Sequence, residues 1–174
     1  MTSRIPIALL AAGALALTGC GGGGKNTTPG GGGQGVQGLT LPKESSDVNT
    51  KPVIPKPHGA PPTSLQSRDV VSGPGKTAES GDKLTVDYVG VSWSTGKQFD
   101  SSWDPGRKPF QFKLGAGMVI PGWDQGLVGM RVGGRRELVI PPGQAYGPQG
   151  QPPAIGPNET LVFVIDLKKV SKSK

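Results

Sequence analysis

Short segments in which apolar and polar residues alternate limit the fold of this chain most strongly. Residues 84–89, 110–114 and 161–167 place apolar side chains at every second position, as half-buried β-strands do. Residues 69–71 and 136–141 predict two more strands, and Gly- and Pro-containing turns such as 141–143 separate the segments. A chain of this kind is expected to form an antiparallel sheet.

Only one short helix is predicted. Pro121 suits the first turn of a helix, and Trp123, Leu127 and Met130 would then lie on one face, with 133–134 (Gly-Gly) ending it. Five or six antiparallel strands with one helix predict an α+β domain over residues 65–174, in which a curved sheet wraps around the helix.

The first part of the chain has a different composition. The 174 residues include 30 Gly and 18 Pro, and residues 21–62 contain long Gly- and Pro-rich stretches with few large apolar side chains. Such a segment cannot bury enough surface to offset its ordering entropy. The sequence therefore predicts a disordered tether over residues 20–64, which includes the single histidine, His58.

Residues 1–19 predict a secretory signal peptide. Arg4 gives a basic start, and the apolar run 5–17 is shorter than the roughly 20 residues that cross a bilayer. The run ends in Leu-Thr-Gly-Cys at 17–20, which resembles the lipobox of bacterial lipoproteins and implies lipidation of Cys20. We therefore expect a bacterial cell-envelope protein outside the cytoplasm, lipid-anchored to the membrane; the alternative is an ordinary cleaved signal with an incidental cysteine.

The sequence lacks the residues that several kinds of functional site require. One cysteine and one histidine supply neither an internal disulfide nor a zinc site, so no metal and no cofactor is expected. Residues 75–77 (Gly-Lys-Thr) end like a phosphate-binding loop, but Val70 stands where its first glycine is required. The net charge of +7 fits solubility or attraction to anionic lipids, and no basic stripe indicates nucleic-acid binding. The remaining pattern favours an apolar binding pocket.

Ordered motifs within residues 65–170 identify a family. They are Val86-Asp87-Tyr88-Val89-Gly90, Gln98-Phe99-Asp100-Ser101, Val119-Ile120-Pro121-Gly122-Trp123, Ala145-Tyr146-Gly147 and Leu161-Val162-Phe163. Together they resemble the FK506-binding-type (FKBP) peptidyl-prolyl cis/trans isomerases. The resemblance implies a strongly curved antiparallel sheet around one short helix, with the pocket between them.

The resemblance also implies the site residues. Four are similar to the family's catalytic group, in which an indole forms the pocket floor and a lone carboxylate lies beside the twisting bond: Asp100, Tyr146, Trp123 and Phe99. Others resemble the substrate- and drug-binding residues: Tyr88, Phe110, Val119, Ile120, Ile155, Phe163 and Arg107, the last as the partner of Asp100. The backbone N–H of Ile120 resembles a donor to the bound ligand.

The implied function is isomerisation of X–Pro bonds in exported polypeptides by a monomer. FK506 or rapamycin are possible ligands. Met118, Gln151 and Ala154 depart from the residues common in the family, which affects drug affinity and substrate preference. The alternative is a non-catalytic module that binds proline-containing partners at the cell surface.

Overall fold

The computed structural model describes Val36 and residues 38–172; the predicted signal peptide and Cys20 lie outside the described residues. Six strands and one α-helix follow in chain order: β1 (Gln66–Val71), β2 (Lys83–Ser92), β3 (Gln98–Ser101), β4 (Phe110–Lys113), α1 (Pro121–Gly126), β5 (Arg135–Ile140) and β6 (Leu161–Ser171). Short 3-10 turns occur at Lys43–Ser46, Pro142–Gln144 and Gly147–Gln149. The predicted α+β class is confirmed.

The six strands form one antiparallel sheet in the order β1-β5-β6-β2-β3, and β4 also pairs with β2. The ten-residue strand β2 pairs with β6 along its whole length. On its other side it pairs first with β4 and then with β3, and the β2–β3 pairing contains a register shift at Gly90/Val91. Such shifts bend and twist a strand, which curves the sheet. Within residues 38–172, no helix has the length and apolar character needed to cross a bilayer.

The concave face of the sheet packs on α1. Leu84, Val86 and Tyr88 alternate inward from β2, and Trp123 and Leu127 meet them from the helix region. The helix lies very close to β5: a Cβ on Gly122 would be 2.4 Å from a methyl of Ile140. Glycine is therefore required there to bring the indole of Trp123 under the sheet.

The helix is shorter than predicted. It ends at Gly126 rather than at the glycine pair 133–134. Gly129 adopts a left-handed φ of 80° and its N–H donates to Ala78 O at 2.9 Å, so the chain turns away before another helical turn can form. Leu127 and Met130 are nevertheless buried, because the turn keeps them against the same core.

The outer face of the sheet is also apolar and is covered. Val89, Val91 and Trp93 of the β2 region form a second buried cluster with Val139 and Val162. Residues 38–59, here called the strap, lie over this cluster and contribute Leu39, Leu41 and Ile54. Over these residues the structure differs from the expected disordered tether. Few apolar side chains suffice here because they meet a preformed apolar surface.

A buried ion pair fastens the strap. Arg135 and Asp166 are 0% and 1% exposed, and the guanidinium donates to both carboxylate oxygens, at 2.5 and 2.8 Å. Its remaining N–H groups donate to strap carbonyls, Ser45 O at 2.7 Å and Thr50 O at 2.8 Å. An arginine can satisfy a carboxylate and two carbonyls at once because its donors form a rigid fork. The strap thus buries the charge of Arg135 and also accepts its remaining hydrogen bonds.

Candidate active site

Trp123 lies at the centre of an aromatic cluster on the concave face. Its side chain is fully buried. Ring centroids lie 5.2 Å away at Phe163, 5.3 Å at Tyr88, 5.6 Å at Phe112 and 6.2 Å at Phe110. Most of these contacts are edge-on, which is a favoured aromatic geometry. The indole is therefore held rigidly, as a flat floor for a ring-shaped ligand must be.

The loop that leads into α1 is fixed by a residue that the sequence did not single out. The carboxylate of Asp124 accepts hydrogen bonds from the N–H groups of Gly115, at 2.8 Å, and Gly117, at 2.9 Å. This closes the loop just before Val119 and Ile120, both of which are buried. Carboxylates at the start of a helix are common, so Asp124 could have been found from its position after Pro121.

The predicted wall residues come together around Trp123. Val119, Ile120, Ile155 and Phe163 are almost completely buried, whereas Phe99 and Phe110 are partly exposed. The last two therefore form the accessible side of the site. The carbonyl of Ile120 accepts from Trp123 N–H at 2.9 Å, while its own N–H has no acceptor among residues 38–172 and can donate to a ligand.

Gly90 allows two of these rings to meet. Phe99 and Phe163 are T-shaped with their centroids 5.5 Å apart. A Cβ on Gly90 would lie 2.7 Å from Phe99 and 2.8 Å from Phe163, so no side chain fits beneath them. A glycine inside an alternating strand often marks such a close approach, and this signal was available in the sequence.

Asp100 occupies a polar corner beside the aromatic rings. Its side chain is only 6% exposed. The hydroxyl of Tyr88 donates to Oδ2 at 2.7 Å, the backbone N–H of Ser101 donates to Oδ1 at 2.9 Å, and the Arg107 guanidinium pairs with Oδ1. The structure thus brings Arg107 to Asp100, as the resemblance implied. Tyr88 was predicted as a wall, and its hydroxyl also orients the carboxylate.

Both tyrosines of the site remain protonated over a wide pH range. Burial raises the pKa of Tyr88, and its hydrogen bond to Asp100 raises it further. Burial also raises the pKa of Tyr146, with an added effect of the negative charge of Asp100. Tyr146 packs against the concave core just after β5. Each hydroxyl therefore keeps its proton at neutral pH, and Tyr88 donates its own to Asp100.

The three residues that depart from those common in the family lie at the edge of the site. Met118 is 51% exposed beside Val119. Gln151 and Ile155 form a small bridge, with N–O distances of 2.9 and 3.0 Å, and this turn carries Ala154 and buries Ile155 against the core. Ala154 is partly buried, and its short side chain fills less of that wall than a larger apolar residue would.

No group of three or more potential metal ligands occurs within the described part of the chain.

The comparisons with known proteins agree with the geometry. Residues 75–168 match the family model described as FKBP-type peptidyl-prolyl cis-trans isomerase.

Two bacterial relatives are similar over most of their own length. The chain is 53% identical over 121 residues to an FK506-binding protein of Streptomyces anulatus, covering 69% of this chain and 97% of the relative. It is 48% identical over 117 residues to a probable FK506-binding protein of Corynebacterium glutamicum, covering 67% and 96%.

Two solved structures share the fold. AtFKBP13 superposes with a TM-score of 0.57 and 39% identity, over 62% of this chain and 93% of that one. A peptidyl-prolyl cis-trans isomerase of Pseudomonas syringae superposes with a TM-score of 0.55 and 36% identity, over 62% and 76%.

Proposed function

Since the chain belongs to the family of FKBP-type peptidyl-prolyl cis-trans isomerases, we propose that its substrates are X–Pro bonds of exported polypeptides and that rotation occurs over Trp123. The observation that carries this proposal is the pairing of a rigid aromatic floor with one buried, triply hydrogen-bonded carboxylate, Asp100. The proline ring enters past the partly exposed rings of Phe99 and Phe110 and packs towards the buried indole, and the preceding peptide bond lies towards Asp100.

The reaction needs no nucleophile. Resonance gives the C–N bond partial double-bond character, with a rotation barrier of about 18–20 kcal/mol. The planar amide is more polar than the twisted one, because twisting returns the lone pair to nitrogen. An apolar site lined by Phe99, Phe110 and Phe163 therefore disfavours the planar ground state relative to the twisted transition state. Only this difference between the two states accelerates rotation.

Asp100 acts electrostatically in this mechanism. Three donors occupy its oxygens, so the carboxylate is held in one direction and need not exchange a proton. Its fixed negative charge beside the twisting bond interacts differently with the two amide geometries. Preorganised charges are effective in water-poor sites because they do not reorganise during the reaction.

Tyr146 and the Ile120 backbone supply hydrogen bonds to substrate carbonyls. Because the raised pKa of Tyr146 keeps its hydroxyl protonated, it donates throughout the neutral range. The two donors hold the chain on either side of the proline while the bond between them turns. The same donors and rings would receive macrolides such as FK506 or rapamycin.

Lipidation of Cys20 would place the enzyme in the bacterial cell envelope, as a monomer facing newly exported chains. There, uncatalysed X–Pro isomerisation takes tens of seconds and can limit folding. An isomerase held near the site of export shortens that step. Mass spectrometry of the protein purified from membranes tests this placement through a diacylglyceryl group on Cys20, which Cys20→Ala would remove.

The function is tested by measuring isomerisation of Xaa-Pro peptides in a protease-free assay with the mature chain. Asp100→Asn should lower kcat/KM about tenfold, which corresponds to ~1.4 kcal/mol of transition-state stabilisation. Asp47→Asn is the matched control, because Asp47 is exposed in the strap. FK506 should inhibit the wild type.

A second pair of variants distinguishes a loss of pocket function from a general loss of core packing. Trp123→Phe should reduce kcat/KM, whereas Trp93→Phe, which alters a buried tryptophan on the outer face, should change it less than about twofold while lowering stability. A folded wild type without catalysis would contradict the mechanism. Retained binding of proline peptides would then assign the non-catalytic module instead.

A further inference from the structure

The loop between β3 and β4 joins the two faces of the sheet. At one end, Arg107 reaches Asp100 in the candidate active site. At the other, Trp103 packs against the outer-face cluster, whose buried members include Leu39 of the strap. One short loop therefore reaches both the catalytic carboxylate and the cluster that the strap covers.

A salt bridge connects the strap directly to this loop. Lys51 Nζ lies 2.9 Å from Asp104 Oδ1. The side-chain amide of Gln98 also donates to both oxygens of Asp104, at 3.2 and 3.3 Å. Asp104 is thus held between β3 and the strap.

Asp104 and Arg107 belong to one turn. The N–H of Arg107 donates to Asp104 O at 3.0 Å, and Gly106 between them has a φ of 78°. The guanidinium is further aligned by its Nε, which donates to Ser101 O at 3.2 Å. A movement of Asp104 is therefore transmitted through a tight turn to the group that pairs with Asp100.

We propose that the strap positions the active site, with Lys51 and Asp104 as positioning residues that hold Arg107 against Asp100. This rests on the proposed function, because it assigns residues that tune the same reaction. Residues 38–59 lie N-terminal to the segment 75–168 that matches the family model. Lys51 touches no substrate; it acts through Asp104 and Arg107.

The energetics predict where the effect appears. The Lys51 and Asp104 side chains are 41% and 42% exposed, and ion pairs of that kind contribute little to global stability. Small displacements of catalytic groups, in contrast, reduce rates substantially. Loss of the pair should therefore lower kcat/KM without lowering Tm, which a merely structural contact would not do.

The experiment uses the mature chain and four variants: Lys51→Glu, Lys51→Arg, the charge swap Lys51→Glu/Asp104→Lys, and the control Lys43→Glu. Lys43 is exposed in the strap, and among the described residues its side chain makes no ion pair. Each protein is assayed for kcat/KM and KM at a temperature where circular dichroism shows it folded. The NMR signal of Arg107 Nε–H reports the position of the guanidinium.

Lys51→Glu should lower kcat/KM about two- to fivefold, mainly through kcat, and shift the Arg107 signal. Lys51→Arg and the charge swap should restore most of the activity, and Lys43→Glu should match the wild type. Equal kcat/KM in wild type and Lys51→Glu would overturn the proposal, as would an equal loss in Lys43→Glu. An inactive wild type would instead overturn the proposed function, and the positioning role with it.

Discussion

The two faces of the sheet are both apolar, but they are covered in different ways. The strap closes the outer face, where Val139 and Val162 are 0% exposed. On the concave face, α1 covers the centre while Phe99 and Phe110 stay partly exposed beside Asp100. The strap thus covers the outer face of the sheet fully, whereas the concave face keeps accessible aromatic rings. The comparison indicates that the outer face serves stability and the concave face serves binding.

The largest effect is expected from breaking the ion pair that fastens the strap. Arg135→Met leaves the buried carboxylate of Asp166 without its partner, and this should lower the free energy of unfolding by about 3–5 kcal/mol. Activity per folded molecule should fall no more than about fivefold, the limit expected for loss of the strap contact. Urea unfolding and the peptide assay measure the two quantities.

The pH response of Arg135→Met provides a further check. Burial already raises the pKa of Asp166 in the wild type, against the opposing effect of Arg135. A raised pKa in the folded state means that stability is greatest below the unfolded pKa and is lost as pH rises. The variant should therefore regain stability as pH falls from 7 towards 5, and Arg135→Met/Asp166→Leu should lose that dependence. An equally stable Arg135→Met would show that the strap covers the outer face without being fastened.

An intermediate effect is expected on the concave face from Gly90→Ala. The added methyl would meet Phe99 and Phe163 within 3 Å, and overpacking of this kind costs about 1–3 kcal/mol. Because both rings line the site, kcat/KM should fall together with Tm. Gly143→Ala, where the added methyl meets nothing within 4 Å, is the control; similar results for the two glycines would mean that the rings shift freely.

The smallest effect concerns the two tyrosines, neither of which should ionise near pH 10 in the folded protein. The chain has 2 tyrosines, Tyr88 and Tyr146, and burial raises the pKa of both in the folded protein. Absorbance at 295 nm should stay flat as pH passes 10, whereas both should ionise near 10 in denaturant. Since only the unfolded state loses these protons, stability should fall as pH rises above 10. A normal titration without unfolding would show that the site is more open to water.

Much of the fold could be predicted because local pattern and tertiary structure agree. The alternation in β2, β4 and β6 was sufficient to place those strands. The four-residue strand β3 was too short to show a period and is defined by its pairing with β2. The length of α1 was overestimated because Leu127 and Met130 stay on the core side after the helix has ended.

The strap was not predicted because its apolar residues are sparse and its fastening groups lie far away in the sequence. Arg135 binds carbonyls of Ser45 and Thr50, 90 and 85 residues away. One signal was present: in β6, Val162 and Val164 are apolar as well as Phe163, and an uninterrupted apolar run is typical of a strand buried on both faces. The site residues were placed through family resemblance, whereas the carboxylate contacts of Asp124 depend on loop closure that a linear pattern does not show.

The position of Gly38 has a mechanical consequence. The strap begins there, with Gly38 O accepting from His58 N–H at 2.9 Å, on the face opposite the aromatic site. A pull on the chain from its N-terminal side would load this contact first, then Leu39, and then the carbonyls bound by Arg135. The force would act on the sheet and on the aromatic cluster only after the strap had detached from the outer face. Single-molecule extension from the N-terminal side should therefore show a small early release of chain, followed by rupture of the remaining domain at higher force.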